Sequence, residues 1–303
     1  MTIDLSTSVG SIGLRSPILT AAGTSGHGDE LAAYGDLHAL GGVVVKSLAP
    51  MAWEGNPAPR VVSSGVHMVN AVGLTGPGVA AWRSESLPKL IARGATVVGS
   101  IWGRTIEEFA QAAELMRGAQ IVALEINASC PNLEARSSIF AHSAQATSEI
   151  VAASLVAGVP LWVKLSPNTP DLVAIAGAAL DAGASALVLV NTMLGLVIDV
   201  ELRRPALGNV GGGLSGPGLL PVALRSVYEC REAFPSAPIV GVGGVQSGED
   251  AVAMLMAGAS AVEVGTATFA NPRAPWLVQK ELSRWLRQHD VASVAEIVGA
   301  AHG

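Results

Sequence analysis

Eight short apolar runs punctuate the chain, and nearly all are followed by a longer, Ala-rich segment with helical spacing. The runs are Ile18–Ala22, Val43–Ser47, Val97–Ile101, Ile121–Asn127, Leu161–Leu165, Ala186–Asn191, Ile239–Gly243 and Ala261–Gly265. Their apolarity is continuous rather than alternating, which marks strands covered on both faces, as in a parallel sheet whose crossovers are helices. Helical patterns span Asp29–Leu40, Val79–Ala92, Thr105–Arg117, Gln145–Ala157, Asp171–Ala182, Gly218–Phe234, Glu249–Met256 and Pro275–Gln288. Thr105 with Glu108 three positions on, and Pro170-Asp171, read as helix starts, while Gly158, Gly183 and Gly258 read as left-handed helix ends. Eight strand–helix repeats close into a barrel, whereas six or fewer would favour an open doubly wound sheet. The expected fold class is α/β, a (β/α)8 TIM barrel.

Two segments exceed what a bare barrel needs: Leu48–Pro77, rich in Pro and Gly, and Asp199–Pro217. Both follow C-terminal strand ends, where barrel enzymes build active sites from loops, so they are expected as loop insertions walling a site. Position alone also allows plain surface excursions. No Pro/Ser-rich linker or charge run divides the 303 residues, so one domain, 1–303, is expected.

Composition narrows the partners. The net charge of -6 and the lack of a Lys/Arg cluster argue against nucleic acid or an anionic membrane surface, which leaves a small molecule. The first residues have neither a basic start nor an apolar run, and the most apolar stretch, Ala184–Ile198, is too short to span a bilayer. A cytosolic protein without a membrane partner is expected. The two cysteines, Cys130 and Cys230, lie far apart and lack ligand spacing, so no metal or iron–sulfur site is expected on this chain.

Candidate chemistry centres on Glu125-Ile126-Asn127-Ala128-Ser129-Cys130-Pro131-Asn132, where the fourth strand gives way to its loop. A lone cysteine near a strand end is more often a small core residue than a catalyst. The neighbours alter that balance, because the Asn-x-Ser-Cys-Pro-Asn run resembles the class 1 dihydroorotate dehydrogenases, whose base is cysteine. Further matches cover nearly the whole chain. They include Ala22-Gly23-Thr24, Val45-Lys46-Ser47, Asn70-Ala71-Val72-Gly73-Leu74, Val163-Lys164-Leu165-Ser166-Pro167-Asn168, Gly213-Leu214-Ser215-Gly216-Pro217 and Val264-Gly265-Thr266.

The resemblance implies FMN against Ala22, Gly23, Lys46, Ser47, Ser100, Asn127, Lys164, Val190, Asn191, Gly216, Gly243, Gly244, Gly265 and Thr266. It implies a dihydroorotate or orotate site at Lys46, Asn70, Val72, Gly73, Leu74, Asn127, Asn191 and Thr192, with Cys130 as catalytic base. Ser100 stands where asparagine is frequent, Val72 replaces a bulkier residue, and the loop after Cys130 lacks the usual glycines.

The residues by themselves support part of this. Glycines at the ends of the seventh and eighth strands leave backbone N–H groups open to a phosphate, and barrels repeatedly bind one there. Lys46 and Lys164 end apolar strands, where an unpaired ammonium is costly, so something anionic should face them. That anion fits either an electron-rich flavin or the setting of an aldolase-type Schiff-base lysine. Asn70, Asn127, Asn132 and Asn191 converge on the same face and offer the donors and acceptors a pyrimidine acid needs.

The implied reaction removes a proton from carbon 5 of dihydroorotate and a hydride from carbon 6, Cys130 taking the proton. Asn70-Ala71, Pro77-Gly78, Asn191-Thr192 and Leu214-Ser215-Gly216-Pro217 look like the NAD-linked group, class 1B. The chain has no convincing Gly-x-Gly-x-x-Gly turn for a dinucleotide, so NAD would be met by an electron-transfer subunit carrying FAD and an iron–sulfur cluster. A homodimer is also expected. Three alternatives stay open: a dihydropyrimidine dehydrogenase-type subunit, a fumarate-linked class 1A enzyme, and a flavin-free lyase or aldolase barrel.

Overall fold

The computed structural model describes residues 3–128 and 140–303. Eight parallel strands close into a barrel. They are β1 (Ile18–Thr20), β2 (Gly42–Val44), β3 (Val97–Ile101), β4 (Ala123–Asn127), β5 (Leu161–Lys164), β6 (Ala186–Leu189), β7 (Ile239–Val242) and β8 (Ala261–Val264). Each strand pairs with its chain neighbours, and β8 pairs with β1, Val262 opposite Ile18, to complete the ring. All eight sequence-predicted strands are present, each ending at or a few residues before its predicted limit.

The continuous apolarity of these strands has a direct physical cause, since each alternates between two buried environments. Ile18, Val43, Val97, Leu124, Val163, Leu187, Ile239 and Val262 face outward into one cluster shared with the helices. Their immediate neighbours Leu19, Val44, Val98, Ala123, Trp162, Val188, Val240 and Ala261 fill the lumen in a second cluster. A hairpin of Thr7–Val9 and Ile12–Leu14 contributes Val9 and Leu14 to that lumen. Thr7 Oγ1 donates to Ser260 O at 2.8 Å, just before β8 begins, so the hairpin plugs the N-terminal end. Side chains thus fill the lower barrel, and the C-terminal end stays open for a ligand.

The helices depart from expectation in two places. Over 29–40 the chain forms two 3₁₀ turns, Glu30–Ala33 and Leu37–Ala39, instead of a helix. Gly35 lies between them against Trp276, where a Cβ would come within 2.5 Å of the indole, so packing rather than helical periodicity sets the path. Val79–Glu85 and Leu87–Ala92 are separate helices because Pro88 lacks the N–H that would continue the ladder across Ser86. Gly158, Gly183 and Gly258 adopt φ of 70°, 105° and 115° at helix ends, as the sequence predicts.

The two long insertions combine into one structure. Val61–Ser64 and His67–Asn70 from the first pair with Gly212–Ser215 from the second, and Met193–Gly195 forms the outer edge of this four-stranded antiparallel sheet. It stands over the C-terminal end of the barrel, with Val69, Ala71 and Leu207 forming a small core of its own. Among the described residues no helix is long and apolar enough to cross a membrane.

Candidate active site

A cavity of about 470 Å³ opens at the C-terminal ends of the strands, between the barrel and the antiparallel sheet. That volume falls in the ~300–1,000 Å³ range of small-molecule sites. The turns after β1, β7 and β8 supply Ala22, Gly23, Gly243, Gly244, Gly265 and Thr266. The ends of β2, β4, β5 and β6 bring Lys46, Ser47, Asn127, Lys164, Val190 and Asn191, and the insertion adds Asn70, Val72, Gly73 and Leu74. Thr192 completes the predicted set that the fold brings together.

The glycines are demanded by geometry. A Cβ on Gly244, at φ +77°, would lie 2.5 Å from Leu220 N, whereas the space above Gly23, at φ +84°, is open. The first turn is held tight against the helix Leu220–Ala233, and the second leaves backbone bare toward the cavity. Such a cradle suits a phosphate.

One wall is the loop 70–75. Gly73 and Leu74 both take left-handed φ, 72° and 60°. Trp53 Nε1 donates to Gly73 O at 3.0 Å and Asn56 Nδ2 donates to Ala71 O at 3.0 Å, fixing that path. A Cβ on Gly73 would lie 2.5 Å from Asn56 N, so glycine is required. Lys46 Nζ donates to Thr75 O at 2.6 Å and has no carboxylate partner among the described residues. Burial, and then the charge of Arg60, lower its ammonium to about 8. Among the described residues lining the cavity, it is the lysine with capacity left for an anion.

The amides form a chain across the floor. Asn191 Nδ2 donates to Asn127 Oδ1 at 3.2 Å, and Asn127 Nδ2 donates to Ser47 Oγ at 3.1 Å. Asn70 Nδ2 reaches Gly213 O at 3.3 Å, tying the site to the antiparallel sheet. Asn168 holds the opposite rim, its Nδ2 donating to Thr192 O at 3.0 Å and its Oδ1 accepting from Leu194 N at 2.9 Å.

Lys164 meets the anion that its place at the end of an apolar strand called for, and the protein itself supplies it. Its Nζ donates to Glu263 Oε2 at 2.9 Å and lies 3.5 Å from Glu125 Oε2. Burial opposes the charge, but the two glutamates outweigh it and raise the lysine above its ordinary range. A permanently charged lysine is no Schiff-base nucleophile. Two predicted cofactor residues do not line the cavity. Ser100 is fully buried beneath it, bonded to Ser47 Oγ at 2.9 Å and donating to Glu125 Oε1 at 3.1 Å. Gly216 follows the lining residue Ser215 and packs instead against His67. Cys130 and Asn132 lie outside the described residues. Cys230 is an interior packing residue whose thiol is pushed up to about 12, by burial first and then by Glu229.

The model of the family described as dihydroorotate dehydrogenase matches residues 4–286. The chain belongs to the dihydroorotate dehydrogenase family. Among its relatives is a protein of Geotalea uraniireducens, described as the catalytic subunit of dihydroorotate dehydrogenase B (NAD(+)). It is 41% identical over 299 residues, 98% of each chain. One of the same description from Alkaliphilus oremlandii is 42% identical over 292 residues, 96% of each. A crystal structure of DHODH in complex with ferulenol from Eimeria tenella shares the fold, with a TM-score of 0.82 at 22% identity, covering 99% of this chain and 89% of the other.

Within this dihydroorotate dehydrogenase family member, sequence reasoning overlooked Glu125 and Glu263. The available signal was a carboxylate inside an otherwise apolar strand, Ala-Leu-Glu-Ile-Asn and Ala-Val-Glu-Val. It also overlooked His27, which lines the cavity with Nε2 buried and unpartnered. Burial, then the charge of Lys46, lower its imidazole to about 4 against a weaker pull from Glu30, so it is neutral near pH 7.

Proposed function

We propose that the chain oxidises dihydroorotate to orotate for pyrimidine synthesis in the cytosol, using FMN held at the C-terminal face of the barrel. The observation that carries this reading is a single cavity joining a glycine cradle at β7 and β8 to Lys46 and the amides of Asn70, Asn127 and Asn191. Gly243, Gly244, Gly265 and Thr266 would hold the phosphate, with Ala22, Gly23, Ser47, Lys164 and Val190 along the ring system. Bound FMN supplies a hydride acceptor.

Lys46 faces the carboxylate of the substrate, and Asn70, Asn127, Asn191 and Thr192 orient its ring by hydrogen bonds, with Val72, Gly73 and Leu74 as the wall. Cys130 takes the proton from carbon 5. A free cysteine has a pKa of roughly 8.5, so this step gains from alkaline conditions unless the surroundings lower it. The relatives named as catalytic subunits of an NAD-linked enzyme support electron export to a separate subunit. We read that subunit as carrying FAD and an iron–sulfur cluster, and the chain itself as a homodimer.

Purification tests the reading first: the chain should be yellow and reduce artificial acceptors with dihydroorotate but not with dihydrouracil. Cys130→Ala should retain FMN and lose flavin reduction by dihydroorotate, and a normal rate in that variant rules Cys130 out as the base. NADH formation should require the partner subunit. Rapid NADH formation by the chain alone, or equal turnover with fumarate, would overturn that assignment.

A further inference from the structure

Beneath the cavity the barrel encloses three ionisable side chains: Glu125 from β4, Lys164 from β5 and Glu263 from β8. Both glutamates are fully buried. Glu125 Oε1 accepts from Ser100, while Glu125 Oε2 and Glu263 Oε1 have no hydrogen-bond partner. Two ionised carboxylates against one ammonium would leave a net negative charge out of water, at a cost of several kcal/mol per uncompensated ion. Two carboxyl groups set against one buried ammonium interact strongly enough that one of them is driven toward its protonated form. The charges that act on Lys164 are the two glutamates, and those acting on Glu263 are Lys164 and Glu125.

We propose that Glu125 and Glu263 hold one proton between them, making a neutral cluster with Lys164 that pins its ammonium in the cavity floor and sets the charge felt by a flavin bound above. The inference rests on the FMN reading. Neither glutamate lines the cavity, so they are positioning residues acting through Lys164, which does. Burial raises Glu263 well above the usual carboxylate range, Lys164 opposing and Glu125 adding to the rise, in the direction that retains a proton.

The test is the midpoint potential of FMN in the holoenzyme, compared among wild type, Glu125→Gln, Glu263→Gln and the double variant. One amide reproduces the cluster's charge at pH 7, so each single variant should match the wild type. The double variant leaves Lys164 uncompensated and should favour reduced FMN at least tenfold, ~30 mV for a two-electron couple. At alkaline pH the wild type should fall below Glu263→Gln as its pair loses the proton. A tenfold preference for reduced FMN in either single variant at pH 7 means a doubly ionised pair and overturns the proposal, as does a double variant that matches the wild type. Infrared spectra of the flavin-free chain give an independent reading. A protonated-carboxyl band at pH 7, lost in each single variant, is expected, and its absence from the wild type overturns the shared proton. A chain that shows this band but binds no FMN supports the shared proton and refutes the flavin reading.

Discussion

Two lysines meet the same cavity, and their surroundings give them opposite characters. Lys46, on the wall, is half-buried, rests on one backbone carbonyl and has its ammonium lowered to about 8. Lys164, in the floor, is enclosed by two carboxylates and has its ammonium raised. Desolvation is the leading influence on both, so the difference comes from what opposes it: nothing at Lys46, two glutamates at Lys164. The wall cation is left to attract a ligand, and the floor cation is committed to the fold.

The largest effect that would break this contrast is on stability. Lys164→Met strands two carboxylates in the barrel, and urea denaturation should show a loss of about 3–5 kcal/mol, the usual result of removing one partner of a buried ion pair. Lys46→Met removes one hydrogen bond to a carbonyl and should cost only about 1 kcal/mol by the same measurement. Equal losses would erase the distinction.

Ligand binding should reverse the order. Lys46→Met removes a charge-assisted contact of about 1.5–3 kcal/mol and should weaken orotate binding roughly 10- to 100-fold, read from the flavin absorbance. Wild-type affinity should fall as pH rises past about 8, because the lowered ammonium of Lys46 then loses its charge. Replacing Arg60 with Leu removes a repelling cation and should move that decline to higher pH. The sign for stability is the opposite. Between about 8 and 10.5 the unfolded chain holds a proton the folded chain has released, so this group's contribution rises with pH.

The smallest effect sharpens the account of the floor. Ser100→Ala deletes the hydroxyl between Ser47 and Glu125 and should cost about 0.5–1.5 kcal/mol in urea. Orotate affinity should stay unchanged, since Ser100 lies below the lining.

Much of this was legible in particular residues. Val97–Ile101 has the same limits in sequence and structure, because a short run between turns with Ser100 as its single polar side chain is buried on both faces as a covered parallel strand. Gly244 and Gly265 mark the cradle because glycine spacing at strand ends is local chemistry. The 3₁₀ turns over 29–40 were not legible, since their path is set by Trp276 in the last helix. Nor was the sheet that joins the two insertions, whose Gly213 pairs with Asn70 across a long stretch of chain. That pairing turns two loops into one cavity wall.

By itself the sequence determined the eight strands, their order, and the end of the barrel at which polar residues gather, because strand periodicity and turn chemistry act over a few neighbouring positions. Only the tertiary structure decided which charges face each other. β5 and β8 are not neighbours in the ring, and Lys164 meets Glu263 through the lumen, 99 positions along the chain. Closure of the barrel excludes water from that lumen, and in a medium without water the three side chains can satisfy their charges only with one another.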